Sequence, residues 1–241
     1  MLDERQKILI KARISRSEKH PKQTISLGIL AGMFIAIGAL LMSVAKAEGC
    51  NKLVCGFIFA CGLFFVVVTG AELFTGNCMI SGLLSYDSER DNLKPTNLLF
   101  MNYFSNMLGA IVIFAIVIAC DIDCSTLIDM AVNKCNEPVL VLIARGFACN
   151  VLVCLAVWIG VYLESTYFKL ERFISVIFPV MAFVACGFEH SVANMFILPF
   201  GLFAGEIDIL QMAIQLLSVT IGNWFGGIFL GALLSETTRE G

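Results

Sequence analysis

The chain has 241 residues, of which 59% are hydrophobic and 15% charged, with a formal net charge of −3. Soluble domains usually carry about 25% charged residues, and the mean hydropathy of +0.88 departs from such domains in the same direction. This composition excludes an ordinary soluble domain. It predicts an all-α integral membrane protein, because one helical span needs about 20 mostly apolar residues.

The first 24 residues are polar and basic, without the apolar run and small-residue cleavage site of a signal peptide. We interpret residues 1–24 as a cytoplasmic arm. Its scattered apolar residues fit a segment lying on the membrane surface, and a plain solvated tail fits nearly as well.

Six transmembrane helices are predicted, two of them broken near the middle by a polar patch. The spans are 25–45, 53–70 with 76–86, 95–120, 138–162, 173–186 with 191–204, and 209–234. The domain division is then the arm, a first three-helix repeat at 25–120, an external loop at 121–137, a second repeat at 138–234 and a cytoplasmic tail at 235–241.

The distribution of lysine and arginine predicts the orientation, since cytoplasmic loops carry the excess of both. Twelve fall in the arm, the second and fourth loops and the tail, against three on the other side, which are Lys46, Lys52 and Lys134. Both termini are therefore predicted to be cytoplasmic, in a multi-pass protein of the cell membrane.

An internal repeat relates the two breaks. Residues 70–77 and 187–194 both read G-x-E-x4-N, 117 residues apart, and Asn102-Tyr-Phe resembles Asn223-Trp-Phe, 121 residues apart. Repeats of three spans must face opposite ways, which is the inverted-repeat plan of many transporters. Two half-helix N-termini that converge on a break would favour an anion.

Ionisable groups inside spans are rare and usually functional. Glu72 and Glu189 recur at equivalent places, so we interpret them as structural acceptors for backbone N–H groups freed by the breaks. His190 has no counterpart, because Leu73 takes its place, and imidazole has an ordinary pKa of about 6.5. His190 is therefore the candidate for proton exchange with a weak acid, and Arg145 is predicted to pair with a glutamate or with loop carbonyls.

Ten cysteines are scattered without a Cys-x-x-Cys pair, which favours reduced thiols that pack as small apolar residues. Cys120, Cys124 and Cys135 share one loop and are the only plausible exception. No metal, no cofactor and no nucleic-acid partner are expected.

Several runs together resemble the formate/nitrite transporter family: GAELFTGN (70–77), KPTNL (94–98), CNVLVCLAVW (149–158), GFEHSVANMF (187–196) and GNWFGG (222–227). The resemblance extends from residue 28 to residue 234. It implies an aquaporin-like fold, a pore in each protomer of a homopentamer, and transport of small monovalent weak-acid anions such as formate, nitrite or hydrosulfide. The family's Asn-Pro-x-Glu element is missing from the arm, which leaves the arm's role in gating open.

The resemblance also implies site residues. It assigns the pore chamber to His190, Thr75, Asn150 and Asn194, and a vestibule lysine to Lys134. It assigns a cytoplasmic-side constriction to Leu63, Leu73 and Phe183, and an external-side constriction to Phe59, Phe74, Val153 and Phe188.

Three other functions remain open at this point. An aquaporin-type channel for neutral solutes would carry Asn-Pro-Ala at both half-helices, which is absent. A cation-coupled secondary transporter would use Glu72 or Glu189 and would depend on sodium. A membrane enzyme has no nucleophile–base pair or metal-ligand spacing to support it.

Overall fold

The computed structural model describes residues 20–84, 95–162 and 169–237. These residues form helices only, with no strand among them. The helices are α1 (Pro21–Ala47), α2 (Lys52–Thr69), α3 (Phe74–Leu84), α4 (Pro95–Ala119), α5 (Ser125–Cys135), α6 (Val139–Tyr162), α7 (Lys169–Ala185), α8 (Ser191–Phe203) and α9 (Ile209–Thr237). The all-α prediction is confirmed for this part of the chain, whereas most of the predicted arm and the loops that carry Arg90 and Lys94 lie outside it.

Five helices are long and apolar enough to cross a membrane, by length and composition. They are α1, α2, α4, α6 and α9. Helices α7 and α8 are shorter, at 17 and 13 residues. One helix departs from the prediction: α5 forms within the segment 121–137 that was predicted as a loop, and its Leu127, Met130 and Ala131 are buried.

Four residues, 70–73, separate α2 from α3, and five residues, 186–190, separate α7 from α8. These two segments are called the breaks below. Gly70, at the end of α2, has a φ of 68°, and Gly187, after α7, has a φ of 71°. Left-handed backbone of this kind ends a helix at little cost only in glycine. The glycine that begins each G-x-E-x4-N motif is therefore the residue that stops the preceding helix.

Within each half, two helices pack closely at a glycine, and the two glycines occupy equivalent positions. A Cβ atom at Gly109 of α4 would meet the carbonyl oxygen of Ile29 in α1, and one at Gly226 of α9 would meet that of Phe147 in α6. Both positions require glycine because the backbones approach each other too closely for a side chain. Close packing of α1 on α4, and of α6 on α9, fixes the positions of these helices. Some of their residues face the two breaks.

Candidate functional site

Thr75 and His190 meet where the two breaks face each other. The Oγ1 atom of Thr75 lies 3.0 Å from Nε2 of His190, and both residues are buried. Thr75 lies in the first turn of α3 and His190 immediately precedes α8. The contact joins one residue from each half, 115 positions apart, as the predicted chamber requires.

The hydrogen bonds of His190 define where its ring proton lies. His190 is the N-cap of α8, and its Nδ1 accepts a hydrogen bond from the backbone N–H of Ala193 at 3.1 Å. A nitrogen that accepts from a backbone N–H carries no proton itself. The ring is therefore neutral in this arrangement, and its Nε2–H donates to the Thr75 hydroxyl.

Two asparagines hold the breaks in place. Asn106 donates to the carbonyl oxygens of Gly28 (2.8 Å) and Glu72 (2.9 Å) and accepts from the backbone N–H of Phe74 (2.8 Å). Sequence reasoning missed Asn106, because the motif comparison had aligned Asn102 with Asn223. The correct equivalent lies 117 residues before Asn223, the same offset as the two glutamates, and this offset was the available signal.

Asn223 repeats this arrangement in the second half. It donates to the carbonyl oxygens of Gly146 (2.7 Å) and Glu189 (2.9 Å) and accepts from the backbone N–H of Ser191 (2.8 Å). The expectation that the glutamate side chains accept the freed backbone N–H groups is therefore wrong at Phe74 and Ser191. Asparagine suits this task because one amide both donates twice and accepts.

The glutamate side chains instead take part in side-chain clusters. Glu72 accepts from Nδ2 of Asn77 at 2.7 Å. Oε2 of Glu189 lies 2.6 Å from Nζ of Lys134 and 2.8 Å from Nδ2 of Asn194. Lys134, predicted as a vestibule residue, and Glu189, predicted as a structural one, thus form one ion pair.

Asn150 has a fixed orientation beside Thr75. Its Nδ2 donates to the carbonyl oxygens of Thr75 (3.0 Å) and Asn223 (2.5 Å). Its Oδ1 is buried and, within the described part of the chain, has no partner, and the same holds for Oδ1 of Asn194. Each chamber asparagine therefore presents a buried acceptor, which suits a solute or water that brings a proton to donate.

A cavity of 440 Å³ leads from the α1–α2 loop to His190. Four cationic residues line it, together with two carboxylates. Lys134 pairs with Glu189, and Arg145 pairs with Glu137 at 2.7 Å, as predicted for an arginine that binds a glutamate. The remaining cations of the lining are Lys46 and Lys52.

An aromatic pair lines this cavity beside the histidine. The rings of Phe59 and Phe183 meet edge to face at 5.7 Å, and Phe183 stacks on His190 at 6.1 Å with an interplanar angle of 15°. Phe183 was predicted to share the cytoplasmic-side constriction with Leu63 and Leu73. In the structure Phe183 packs on Phe59 and lines the cavity, as Phe188 also does, and the grouping of Phe183 with Leu63 and Leu73 stays a prediction.

The other predicted constriction residues lie deeper than the cavity. Leu63, Leu73, Phe74 and Val153 are each at most 5% exposed, and none of them lines it. Phe74 was predicted on the external side with Phe59, but its ring packs against Tyr103 at 5.1 Å. Leu63, Leu73 and Val153 thus belong to the buried apolar residues outside the cavity lining, which are called the apolar layer below.

All ten cysteines lie within the described residues as free thiols, including Cys120, Cys124 and Cys135. Within the same residues, no group of three His, Cys, Asp or Glu side chains is arranged to hold a metal ion.

Sequence comparisons with known proteins cover nearly the whole chain. Residues 4–236 match the family model "Formate/nitrite transporter". The chain is 35% identical to the "Probable formate transporter" of Methanothermobacter thermautotrophicus, with 90% of this chain and 89% of that protein covered. It is 30% identical to the "Nitrite transporter NirC" of Salmonella typhimurium, with 91% and 85% covered.

Two solved structures superpose on this chain over most of its length. An "FNT family ion channel" superposes with a TM-score of 0.86 at 25% identity, over 97% of this chain and 98% of the other. A "Pentameric formate channel with formate bound" superposes with a TM-score of 0.76 at 28% identity, over 89% and 96%. The chain belongs to the formate/nitrite transporter family.

Proposed function

We propose that this protein is a channel for small monovalent anions of weak acids, of the formate, nitrite or hydrosulfide class. Members of the family are channels and transporters rather than enzymes, and the apolar helices are those of a multi-pass membrane protein. The relatives are described as transporting formate or nitrite. The observation that carries the proposal is the Thr75–His190 contact at the floor of a cation-lined cavity.

Selection begins in the cavity. Cationic side chains raise the local concentration of anions in a low-dielectric cleft. The first turns of α3 and α8 then direct the positive ends of two helices at the Thr75–His190 floor, which favours negative charge. The Thr75 hydroxyl oxygen accepts from His190, so the hydroxyl proton is free to donate to a solute at this floor.

The solute becomes a neutral acid before it crosses the apolar layer. A bare anion loses its hydration on entering the apolar layer of Leu63, Leu73 and Val153, at a cost of many kcal/mol, and a neutral acid loses far less. The buried Oδ1 atom of Asn150 supports the neutral form, because it accepts a hydrogen bond that an acid O–H offers and an anion does not. The solute therefore crosses as the acid and regains its charge beyond the layer.

The proton exchange at His190 has a specific requirement. Its Nε2–H cannot be given up by a neutral ring without forming an imidazolate, so donation needs a second proton at Nδ1. That proton replaces the hydrogen bond from Ala193. A bound anion favours this second proton because opposite charges attract. We therefore propose that anion binding and loss of the hydrogen bond from Ala193 to Nδ1 occur together.

The assembly and the membrane topology are part of the same proposal. We propose six crossings, with α2–α3 and α7–α8 each acting as one broken span, and two inverted repeats at 25–120 and 138–234. Both termini face the cytoplasm in the cell membrane, and the protein forms a homopentamer like the formate channel it resembles. The mutually equivalent bonds of Asn106 and Asn223 support the repeat.

Flux into liposomes tests the function. Purified protein should carry formate and nitrite, and should carry chloride poorly because hydrochloric acid stays ionised. Replacement of sodium by potassium should leave the flux unchanged, since Glu189 is already paired with Lys134. Equal chloride and formate flux would overturn the proposal, and sodium dependence would favour a cation-coupled transporter.

A further inference from the structure

Within the part of the chain that the structure describes, two lysines of the cavity lining have no carboxylate partner. Lys46, in the last turn of α1, and Lys52, the first residue of α2, both line the cavity and are exposed. The salt bridges of this lining, as far as the described residues extend, join Lys134 to Glu189 and Arg145 to Glu137. Lys46 and Lys52 remain as two unneutralised positive charges.

The charges of the lining therefore sum to two positive units. Each of the two ion pairs contributes zero, and His190 is neutral in its hydrogen-bonded form. A cavity of 440 Å³ is also much larger than an anion with three non-hydrogen atoms, such as formate or nitrite. Size and charge together fit a small organic anion with two carboxylates.

Such a ligand would bind without crossing. A monoanion needs one proton to become neutral at the Thr75–His190 floor, whereas a dicarboxylate with one added proton still carries a negative charge. The apolar layer excludes that charge. The contact between Phe59 and Phe183 also narrows the way to the floor.

We propose that this cavity is a binding site for small dicarboxylate dianions such as malonate, held by Lys46 and Lys52, and that the bound dianion blocks entry of the transported monoanion. The inference rests on the proposed function for the blocking step, while the binding step stands on the charges of the cavity alone.

The experiment measures formate flux into liposomes with malonate present on both sides at constant ionic strength. Malonate should inhibit wild-type flux, and malonamate, which has nearly the same shape and one negative charge, should inhibit several-fold more weakly. The double variant Lys46→Gln/Lys52→Gln should raise the inhibition constant for malonate by about tenfold, because complementary charge at a rim governs capture. Lys22→Gln removes an exposed lysine at the other end of α1 and should leave that constant unchanged.

Thermal unfolding of the detergent-solubilised protein measures binding without transport. Malonate should raise the melting temperature of the wild type and of Lys22→Gln more than that of the double variant. The inference is overturned if malonate inhibits the double variant as strongly as the wild type, if malonamate matches malonate, or if labelled malonate enters the liposomes. Formate flux without any malonate inhibition would overturn this inference alone, and absence of formate flux would overturn the proposed function instead.

Discussion

Asn106 and Asn223 make the same three hydrogen bonds in the two halves of the molecule. Each donates to a glycine carbonyl and to a glutamate carbonyl, and each accepts the first backbone N–H of a half-helix at 2.8 Å. Both are fully buried. One asparagine side chain in each half thus satisfies a glutamate carbonyl and the first N–H of the half-helix at the break, which holds Thr75 and His190 at hydrogen-bonding distance.

Replacement of either asparagine should destabilise the protein strongly. Asn223→Ala removes the partner of the Glu189 carbonyl and of the Ser191 N–H, and it also removes a second hydrogen bond from the Gly146 carbonyl inside α6. Each buried group left unpaired costs about 1–3 kcal/mol. The melting temperature of the solubilised protein should fall well below that of the wild type. Asn97→Ala, which removes an exposed asparagine from α4, should have almost no effect, and an equal loss in both variants would refute the role of Asn223.

The two ion pairs of the cavity have similar N–O distances but differ in burial. We therefore expect them to contribute differently to the stability of the protein. The side chains of Lys134 and Glu189 are 18% and 6% exposed, whereas those of Arg145 and Glu137 are 35% and 33% exposed. Lys134→Met strands a buried carboxylate and should cost on the order of 3 kcal/mol. Arg145→Met should cost about 0–1 kcal/mol.

Measurement of the melting temperatures of the two variants checks this difference. Addition of Glu189→Gln to Lys134→Met should recover part of the loss, since no uncompensated charge then remains. A double variant that is less stable than Lys134→Met would contradict the interpretation of this pair.

The aromatic pair should limit the size of the solute. Phe183→Ala removes the ring that contacts both Phe59 and His190, so it should raise formate flux and admit larger anions such as lactate. Phe178→Ala, on the same helix and 65% exposed, is the matched control. Unchanged selectivity in folded Phe183→Ala protein would mean that the ring only packs.

The Thr75 hydroxyl should be required for flux, independently of side-chain shape. Thr75→Val keeps the volume and removes the oxygen that lies 3.0 Å from His190, so formate flux should fall by about tenfold or more, the effect of losing one well-placed donor. Thr75→Ser restores the hydroxyl and should retain most of the flux. Equal flux in the valine and serine variants would show that the hydroxyl does not contact the solute.

The sequence predicted the features that follow from long apolar runs and from residue types that are rare inside membrane spans. Long apolar runs predicted the helices, and the two G-x-E-x4-N motifs predicted where α2 and α7 end, because glycine followed by buried charge is unusual inside a span. The family resemblance assigned Thr75 and His190 to one chamber, and their contact is a finding of the structure. These features depend on local sequence or on a motif repeated at a fixed offset.

The remaining site residues depend on which helix faces lie opposite each other. Asn102 and Asn106 are one turn apart on the same face of α4, so sequence alone did not distinguish which of them meets the break, and a nearby aromatic similarity favoured the wrong one. The Lys134–Glu189 pair joins α5, which was predicted as a loop, to the residue before His190. The grouping of Phe183 with Leu63 came from resemblance, whereas the contact of Phe183 with Phe59 depends on how α2 and α7 face each other.

The pH dependence of formate flux in wild type and in His190→Asn tests the proposed mechanism most directly. Asparagine is a good helix N-cap, so this variant keeps an acceptor for the Ala193 N–H while removing the group that titrates. Wild-type flux should rise as pH falls, because protonation of His190 and of the solute both become easier, and His190→Asn should lose most of this dependence. If folded His190→Asn carries formate with the wild-type pH profile, proton exchange at His190 is refuted.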